Sequence, residues 1–250
     1  MLLDHPLISA RYFFPRSDTP QQPLAVDVGD VTLMCRRVVH GGERYMLLCF
    51  HGNGEVVADH AHGFEARVAE LGLDLFLAEY RGYGGSGGQP QLGAMLADVD
   101  PIVAATEVPP ERLIVFGRSL GSIYAIELTQ RYPNIAGLIL ESGIASPLER
   151  LLLRVTPAEL GVTRAAMEAE VTRHLDHERK LRAYRGPLLV LHAAGDHLVD
   201  VSHAERNHAW AGSEQKTLRI LPHGDHNSIE AHNRAAYWGA IAEFVAALPR

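Results

Sequence analysis

The chain has 250 residues and a formal net charge of −7, with 47% apolar and 21% charged residues, the proportions of one globular domain with room for a full core. The acidic balance argues against a nucleic-acid-binding face, and no apolar run approaches the ~20 residues that span a bilayer. Its two cysteines, Cys35 and Cys49, lie in strand-like runs and read as buried free thiols. The amino terminus, Met1-Leu-Leu-Asp-His-Pro6, lacks a basic region followed by an apolar one, so a cytoplasmic protein is expected.

In chain order, residues 11–14 (Arg-Tyr-Phe-Phe) and 24–39 read as short strands. Val31, Leu33 and Cys35 alternate with Thr32, Met34 and Arg36 at a period near two, and Gly29-Asp30 and Gly41-Gly42 mark turns. Tyr45–Phe50 is a continuous apolar run, as expected of a strand buried on both faces of a parallel sheet. It ends at His51-Gly52-Asn53-Gly54. Val56, Val57, Phe64, Val68 and Leu71 fit one helical face over 55–71, with Gly72 as its stop. Leu73–Ala78 is the next buried strand, followed by a Gly-rich loop over 81–88 and a helix over 91–106. Leu113–Phe116 is a strand, Leu120–Arg131 a helix and Ala136–Leu140 a strand. Two helical stretches follow, 147–155 and 163–181, with no strand between them. Leu188–Leu191 resumes the sheet, 203–211 is helical, Leu218–Leu221 is the last strand and 228–248 a closing helix. Alternating strands and helices specify an α/β fold with parallel strands and right-handed crossovers. Residues 142–186 read as a small helical lid inserted into a single domain, 1–250.

The chemistry centres on Gly117-Arg-Ser119-Leu-Gly121. A strand runs straight into this G-x-S-x-G turn and a helix leaves it, which places a serine hydroxyl at the carboxyl edge of the sheet. The N–H of Leu120 points at the same spot, at a helix start that favours negative charge. The pattern occurs again at Gly84-Gly-Ser86-Gly-Gly88, but the apolar run there stops at Tyr80 and loop-like residues intervene, so Ser86 reads as part of a flexible loop.

A serine nucleophile needs a base, and the base an orienting acid. In an open α/β sheet the working groups lie at the carboxyl ends of strands. Two later strands end suitably, at His192-Ala-Ala-Gly-Asp196 and at Pro222-His-Gly-Asp-His226. Asp196 is preferred to Asp200 because it follows its strand closely, after a glycine; Asp200 reads as a helix cap. His226 is preferred to His223 because Gly224 lets its loop swing over the sheet. Asp225 is assigned nothing. The second oxyanion donor is expected from the N–H of Asn53, with Gly52 and Gly54 letting the backbone approach substrate. The chain has 14 histidines, and Asp59-His60-Ala61-His62 and His174-x-x-His177 have spacings that would suit a metal. Neither is joined by a second ligand cluster, so no metal and no cofactor is expected.

These segments, His51-Gly-Asn-Gly54, Gly117-Arg-Ser-Leu-Gly121, His192-Ala-Ala-Gly-Asp196 and Gly224-Asp-His226-Asn, resemble those of the α/β-hydrolase superfamily over most of the chain, from about residue 25 to the end. Tyr80-Arg-Gly-Tyr-Gly-Gly-Ser-Gly is similar to the loop after the fourth strand in those proteins. Within the superfamily the chain is most similar to small serine hydrolases of the Bem46-like and depalmitoylase groups, and to the serine-aminopeptidase-like "lysophospholipase" group. Ala193 departs from the glycine often found there. The resemblance implies a mostly parallel sheet flanked by helices and a serine hydrolase acting on a small acyl ester or thioester. Ser119 would be the nucleophile, His226 the base and Asp196 the acid, with Asn53 and Leu120 holding the oxyanion. Leu148 and Leu151, with Leu152 and Met167, could line an acyl pocket or simply pack on the sheet. The alternatives are a serine aminopeptidase, which needs an acidic pocket for the substrate amine (Glu55, Glu79 and Glu141 lie near strand ends), and an idle binding module on the same fold.

Overall fold

The computed structural model describes residues 1–41, 44–61 and 63–249. Among them eight strands form one sheet in the order β1-β2-β4-β3-β5-β6-β7-β8. They are β1 (Leu24–Asp27), β2 (Thr32–Val38), β3 (Met46–Phe50), β4 (Asp74–Ala78), β5 (Leu113–Arg118), β6 (Gly137–Glu141), β7 (Leu188–Ala193) and β8 (Lys216–Leu221). The β1–β2 and β2–β4 pairs are antiparallel. All pairs from β4 through β3 to β8 are parallel.

Every residue of β3, β4, β5, β6 and β7 is buried, which is why these segments read as unbroken apolar runs. The alternation of the pleat sorts their side chains to two cores. Leu48, Phe50, Val115, Leu138, Leu140 and Val190 pack on one face, and Leu47, Cys49, Ile114, Phe116, Ile139 and Leu189 on the other. Each such leucine or isoleucine contributes about 1.5–3 kcal/mol by leaving water. Cys35 and Cys49 are free and buried, and burial pushes the Cys35 thiol up to about 12.

The helices are α1 (Pro6–Tyr12), α2 (Gly63–Glu70), α3 (Ala94–Ala97), α4 (Val99–Ala105), α5 (Gly121–Arg131), α6 (Pro147–Leu152), α7 (Arg164–Leu175), α8 (His177–Ala183), α9 (Ser202–Trp210), α10 (Ile229–His232) and α11 (Arg234–Ala247). Residues 11–14 are not a strand. Pro6 occupies the first position of α1 and the His5 side chain accepts the Leu7 N–H, a start that suits helix and not sheet. The expected helix over 91–106 is two short helices, α3 and α4, meeting at Asp98, and Pro101 within α4 has no N–H to continue a ladder from α3. The stretch 163–181 is likewise two helices, since Asp176 turns to cap α8 by accepting the Arg179 N–H at 2.9 Å. The closing helix breaks at Asn233, whose side-chain amide donates to Ile229 O and His223 O. The turn expected at Gly41-Gly42 lies partly outside the described residues. No helix among the described residues is long and apolar enough to cross a membrane.

Candidate active site

Ser119 follows the last residue of β5 and precedes α5. Its φ is +50°, a left-handed conformation that a non-glycine residue holds only when its surroundings impose it. The surroundings are tight. A Cβ at Gly121 would sit 2.0 Å from Phe50 O, and one at Gly117 would sit 2.6 Å from the Ala125 Cβ and 2.8 Å from Gly121 O. Bare flanks are therefore a packing requirement of the turn. The Ser119 N–H donates to Glu141 O at 2.9 Å, which ties the turn to β6. Ser122 Oγ then donates to Ser119 O at 2.6 Å and accepts the Ile144 N–H at 2.8 Å.

Three distant segments meet there. His226 Nδ1 lies 2.7 Å from Asp196 Oδ2, and His226 Nε2 lies 2.9 Å from Ser119 Oγ. With the proton on Nδ1, facing the carboxylate, Nε2 is left to accept the serine proton. Asp196 Oδ1 accepts the N–H groups of Leu198 and Val199 at 2.9 and 2.8 Å. Burial alone would raise this carboxyl. The His226 hydrogen bond and charge, together with the Val199 N–H, more than offset that and hold it below the ordinary aspartate value. His192, fully buried at the end of β7, faces Val199 O at 2.8 Å and stands 3.4 Å from Asp196 Oδ2.

The loop carrying His226 is shaped by Asp225, whose Oδ1 accepts the Asn227 N–H and the Ser228 hydroxyl at 3.0 and 2.6 Å. Gly224 turns with φ +76°. His223 is exposed. Asp200 accepts the Ser202 N–H at 3.0 Å at the start of α9. Ser86 accepts the Met34 N–H at 2.9 Å, bound to β2.

Arg118, adjacent to the serine, was not singled out by sequence reasoning and joins several separate segments of the site. Its guanidinium pairs with Glu55 Oε1 at 2.5 Å and with Glu141 Oε1 at 2.9 Å, and donates to His226 O at 2.7 Å and Asn227 Oδ1 at 3.2 Å. The Tyr237 hydroxyl donates to Glu141. Gly52 donates to Glu55 Oε2 at 2.6 Å, and a Cβ on it would meet the Arg118 guanidinium at 2.4 Å, so Gly52 packs beneath the site. Gly54 turns with φ +83° against Phe14. The acids near strand ends are all engaged, Glu55 and Glu141 by Arg118 and Glu79 by His51 at 2.7 Å.

Ser119 and His226 open on a cavity of about 220 Å³ lined by Tyr12, Phe14, Asn53, Leu120, Ile144, Arg150, Arg154, Leu198, Val199 and Asn227. Among the described residues, no protein acceptor takes the N–H of Asn53 or of Leu120. The Asn53 side chain turns the other way. Its oxygen accepts from Phe14 N and Tyr83 Oη at 2.9 and 2.8 Å, and its nitrogen donates to Tyr12 O at 2.5 Å. Leu148 and Leu151 do not line this cavity. Leu151 is buried in the core and Leu148 packs on it, while Arg150 within α6 and Arg154, two residues past its end, line the cavity instead. A helix puts successive residues on different faces, and here the leucine face goes inward. Tyr12 and Phe14 could not be found from sequence, because their place at the site comes from the chain's return across it. A larger cavity of about 550 Å³ lies beside Phe64, Phe116, Arg118, Tyr237 and Trp238, and it contains neither Ser119 nor His226.

Of the metal-spaced histidines, His62 lies outside the described residues, His60 stands 3.7 Å from Glu55 and His174 3.8 Å from Glu170. His177 is buried with Nδ1 2.7 Å from Ile144 O. The neighbouring Ala145 N–H donates to His203 Nδ1 at 3.0 Å, so two imidazoles fix the loop after β6 that forms one cavity wall. Burial pushes His177 down to about 3 and His203 down to about 4. Both stay neutral in the fold and take up protons on unfolding once pH drops below ~6.5. Their effect is absent above that value, and stability falls as pH drops through it, by about 2 kcal/mol for each imidazole at pH 5. His51 works in the opposite sense, because Glu79 more than offsets the lowering by burial. Denaturant unfolding at pH 7 and pH 5 is expected to show a smaller acid loss in His177→Gln than in the parent, by about 2 kcal/mol. Equal losses would mean that His177 is already charged or solvated in the fold.

The family model described as serine aminopeptidase, S33, matches residues 42–175, more than half of the chain. Alpha/beta hydrolase domain-containing protein 17C of Mus musculus is 28% identical over 206 residues, covering 81% of this chain and 60% of that protein. The chain thus spans about three fifths of that relative's length. The 17B protein of Xenopus laevis is 26% identical over 207 residues, covering 81% of this chain and 67% of that one. Among solved structures, an esterase of Pyrococcus furiosus superposes with a TM-score of 0.73 at 17% identity, over 94% of this chain and 98% of its own. Mouse alpha/beta hydrolase domain-containing protein 10 gives 0.70 at 17% identity, over 90% and 98%. At these identities what is shared with the solved structures is the architecture of sheet and flanking helices.

Proposed function

Since the chain belongs to the serine aminopeptidase S33 family and is a hydrolase of the α/β-hydrolase fold, we propose that it cleaves small acyl esters or thioesters through a covalent acyl-enzyme. Ser119 Oγ attacks the acyl carbonyl as His226 Nε2 takes its proton, and Asp196 holds the imidazole by Nδ1–H and stabilises its charged form. The N–H groups of Asn53 and Leu120 receive the oxyanion. The imidazolium returns the proton to the departing alkoxide or thiolate. Water, deprotonated by His226, then attacks the acyl-serine; the bond to Ser119 Oγ breaks, His226 returns the proton to that oxygen and the acid is released. The observation that carries this reading is the hydrogen-bonded chain from Asp196 through His226 to Ser119, at 2.7 and 2.9 Å. Residues 142–186 act as a lid in this reading, and the two buried thiols favour a cytoplasmic setting.

An aminopeptidase would need a free carboxylate for the substrate ammonium. Among the described residues no acidic side chain lines the Ser119 cavity, and two arginines do, which favours the ester reading. A fluorophosphonate probe is expected to label the protein at Ser119, located by peptide mass. Turnover of p-nitrophenyl acyl esters is expected to exceed that of amino-acid p-nitroanilides. Absence of label would refute the nucleophile, and preference for the anilides would restore the peptidase.

A further inference from the structure

Arg150 and Arg154 both line the Ser119 cavity, four residues apart, the first within α6 and the second two residues past its end. In a chain of net charge −7, paired arginines are the rule. Glu149, next to Arg150, is turned away to Arg206 at 2.8 Å. Glu159, beyond Arg154, is held by Arg11 at 2.8 Å and by Thr156. Among the described residues neither Arg150 nor Arg154 has an ion-pair partner. The Arg154 guanidinium rests 5.3 Å over the Phe14 ring, which holds it at the rim without neutralising it. The cavity thus carries two uncompensated cations and no anion. A guanidinium fork matches a carboxylate or a phosphate group bidentately.

We propose that the substrate carries a carboxylate or phosphate that docks on Arg150 and Arg154, which set specificity for an anionic acyl ester or thioester. This rests on the reading of Ser119 as nucleophile. The cavity, about 220 Å³, is below the roughly 300–1,000 Å³ of pockets that enclose a drug-sized ligand. A short acyl group fits inside and the anion stays at the half-open rim.

Two matched pairs distinguish the sources of charge. Mono-p-nitrophenyl adipate against p-nitrophenyl hexanoate places a carboxylate on the acyl side. Butyryl-glycerol 3-phosphate against monobutyrin places a phosphate on the leaving group. In one pair the anionic member is expected to have the larger kcat/KM, by about ten- to a hundredfold, the range for a hydrogen-bonded charge pair. Most of the difference should lie in KM. Arg150→Gln with Arg154→Gln is expected to bring that ratio near one, and Arg150→Lys with Arg154→Lys to keep part of it. Arg164→Gln, at the start of α7, outside the cavity lining and paired with Glu168, should leave the ratio unchanged. Raising ionic strength from about 0.05 to about 0.5 M should narrow the ratio in the parent. Should the double variant not fold, Arg154→Gln, at an exposed position, carries the same test. Turnover of neutral esters and labelling of Ser119 without any anionic preference, or a preference untouched by the arginine variants, overturns this inference alone. Failure to label Ser119 overturns it together with the reading beneath it.

Discussion

Ser119→Ala is expected to lower kcat on p-nitrophenyl esters by on the order of 10⁴–10⁶ while leaving the protein folded. The three side chains are coupled through two hydrogen bonds. In the proposed mechanism His226 Nε2, 2.9 Å away, is a base only for the proton that Ser119 offers, and Asp196 acts only through that ring. Removing any member leaves the others with little to do, so their losses do not multiply. His226→Ala should cost about as much as Ser119→Ala, and the double variant no more than either. The structural cost is small by comparison. Ser119 Oγ makes its hydrogen bond to His226, whereas the turn is held by the backbone bond to Glu141 O and by Ser122. Steady-state kinetics with circular dichroism decide the matter. A Ser119→Ala protein with more than a tenth of parental kcat, or a double variant slowed by the product of the two single effects, would remove Ser119 from the chemistry.

The second large effect is on stability. Arg118→Met is expected to cost about 3–5 kcal/mol, the usual penalty for removing one partner of a buried ion pair. In a protein of this size that lowers Tm by roughly 6–20 °C. Glu141 is left buried with only the Tyr237 hydroxyl, and Glu55 loses its cation. His226 O and Asn227 lose a donor as well, so activity should fall even where the protein is folded. Replacing both members with neutral groups, Arg118→Met with Glu141→Gln, is expected to recover at least half of the lost Tm, since the penalty lies in the orphaned charge more than in the missing bond. A single variant that melts within about 1 °C of the parent would show the network to be solvated.

The contrast between Ser119 and Arg118 shows what a linear reading reaches. Ser119, Asp196 and His226 were each marked by a strand that stops and a glycine that permits a turn, features confined to a few adjacent residues. The five inner strands were legible for a similar reason, because burial on both faces leaves an unbroken apolar run. Arg118 carries no such mark. Its partners Glu55, Glu141 and His226 are distant in sequence, and their meeting depends on strand order. Residues 11–14 misled because Tyr12 and Phe13 are good strand formers, while the helix over Pro6–Tyr12 is set by its start at His5-Pro6. The helix breaks at Asp98 and Asp176 escaped notice because apolar spacing continues across both. Asp98 is claimed by Arg81 at 2.7 and 2.8 Å, a contact that no local pattern announces. Leu148 and Leu151 suited packing on the sheet as well as a pocket lining, and the structure gives them to the core.

The tie between Asn53 and the main chain of Tyr12 and Phe14 has a further bearing. The amino-terminal strap around Tyr12–Phe14 lies outside the stretch matched by the family model, yet it walls the cavity and braces the loop whose amide receives the oxyanion in the proposed mechanism. Among the described residues, neither Tyr12 nor Phe14 is hydrogen-bonded to Ser119 or to the His226 ring. Grafting a different strap onto this scaffold, with the main-chain bonds to Asn53 kept, would therefore re-tailor which molecules are admitted while leaving Ser119 and His226 where they are.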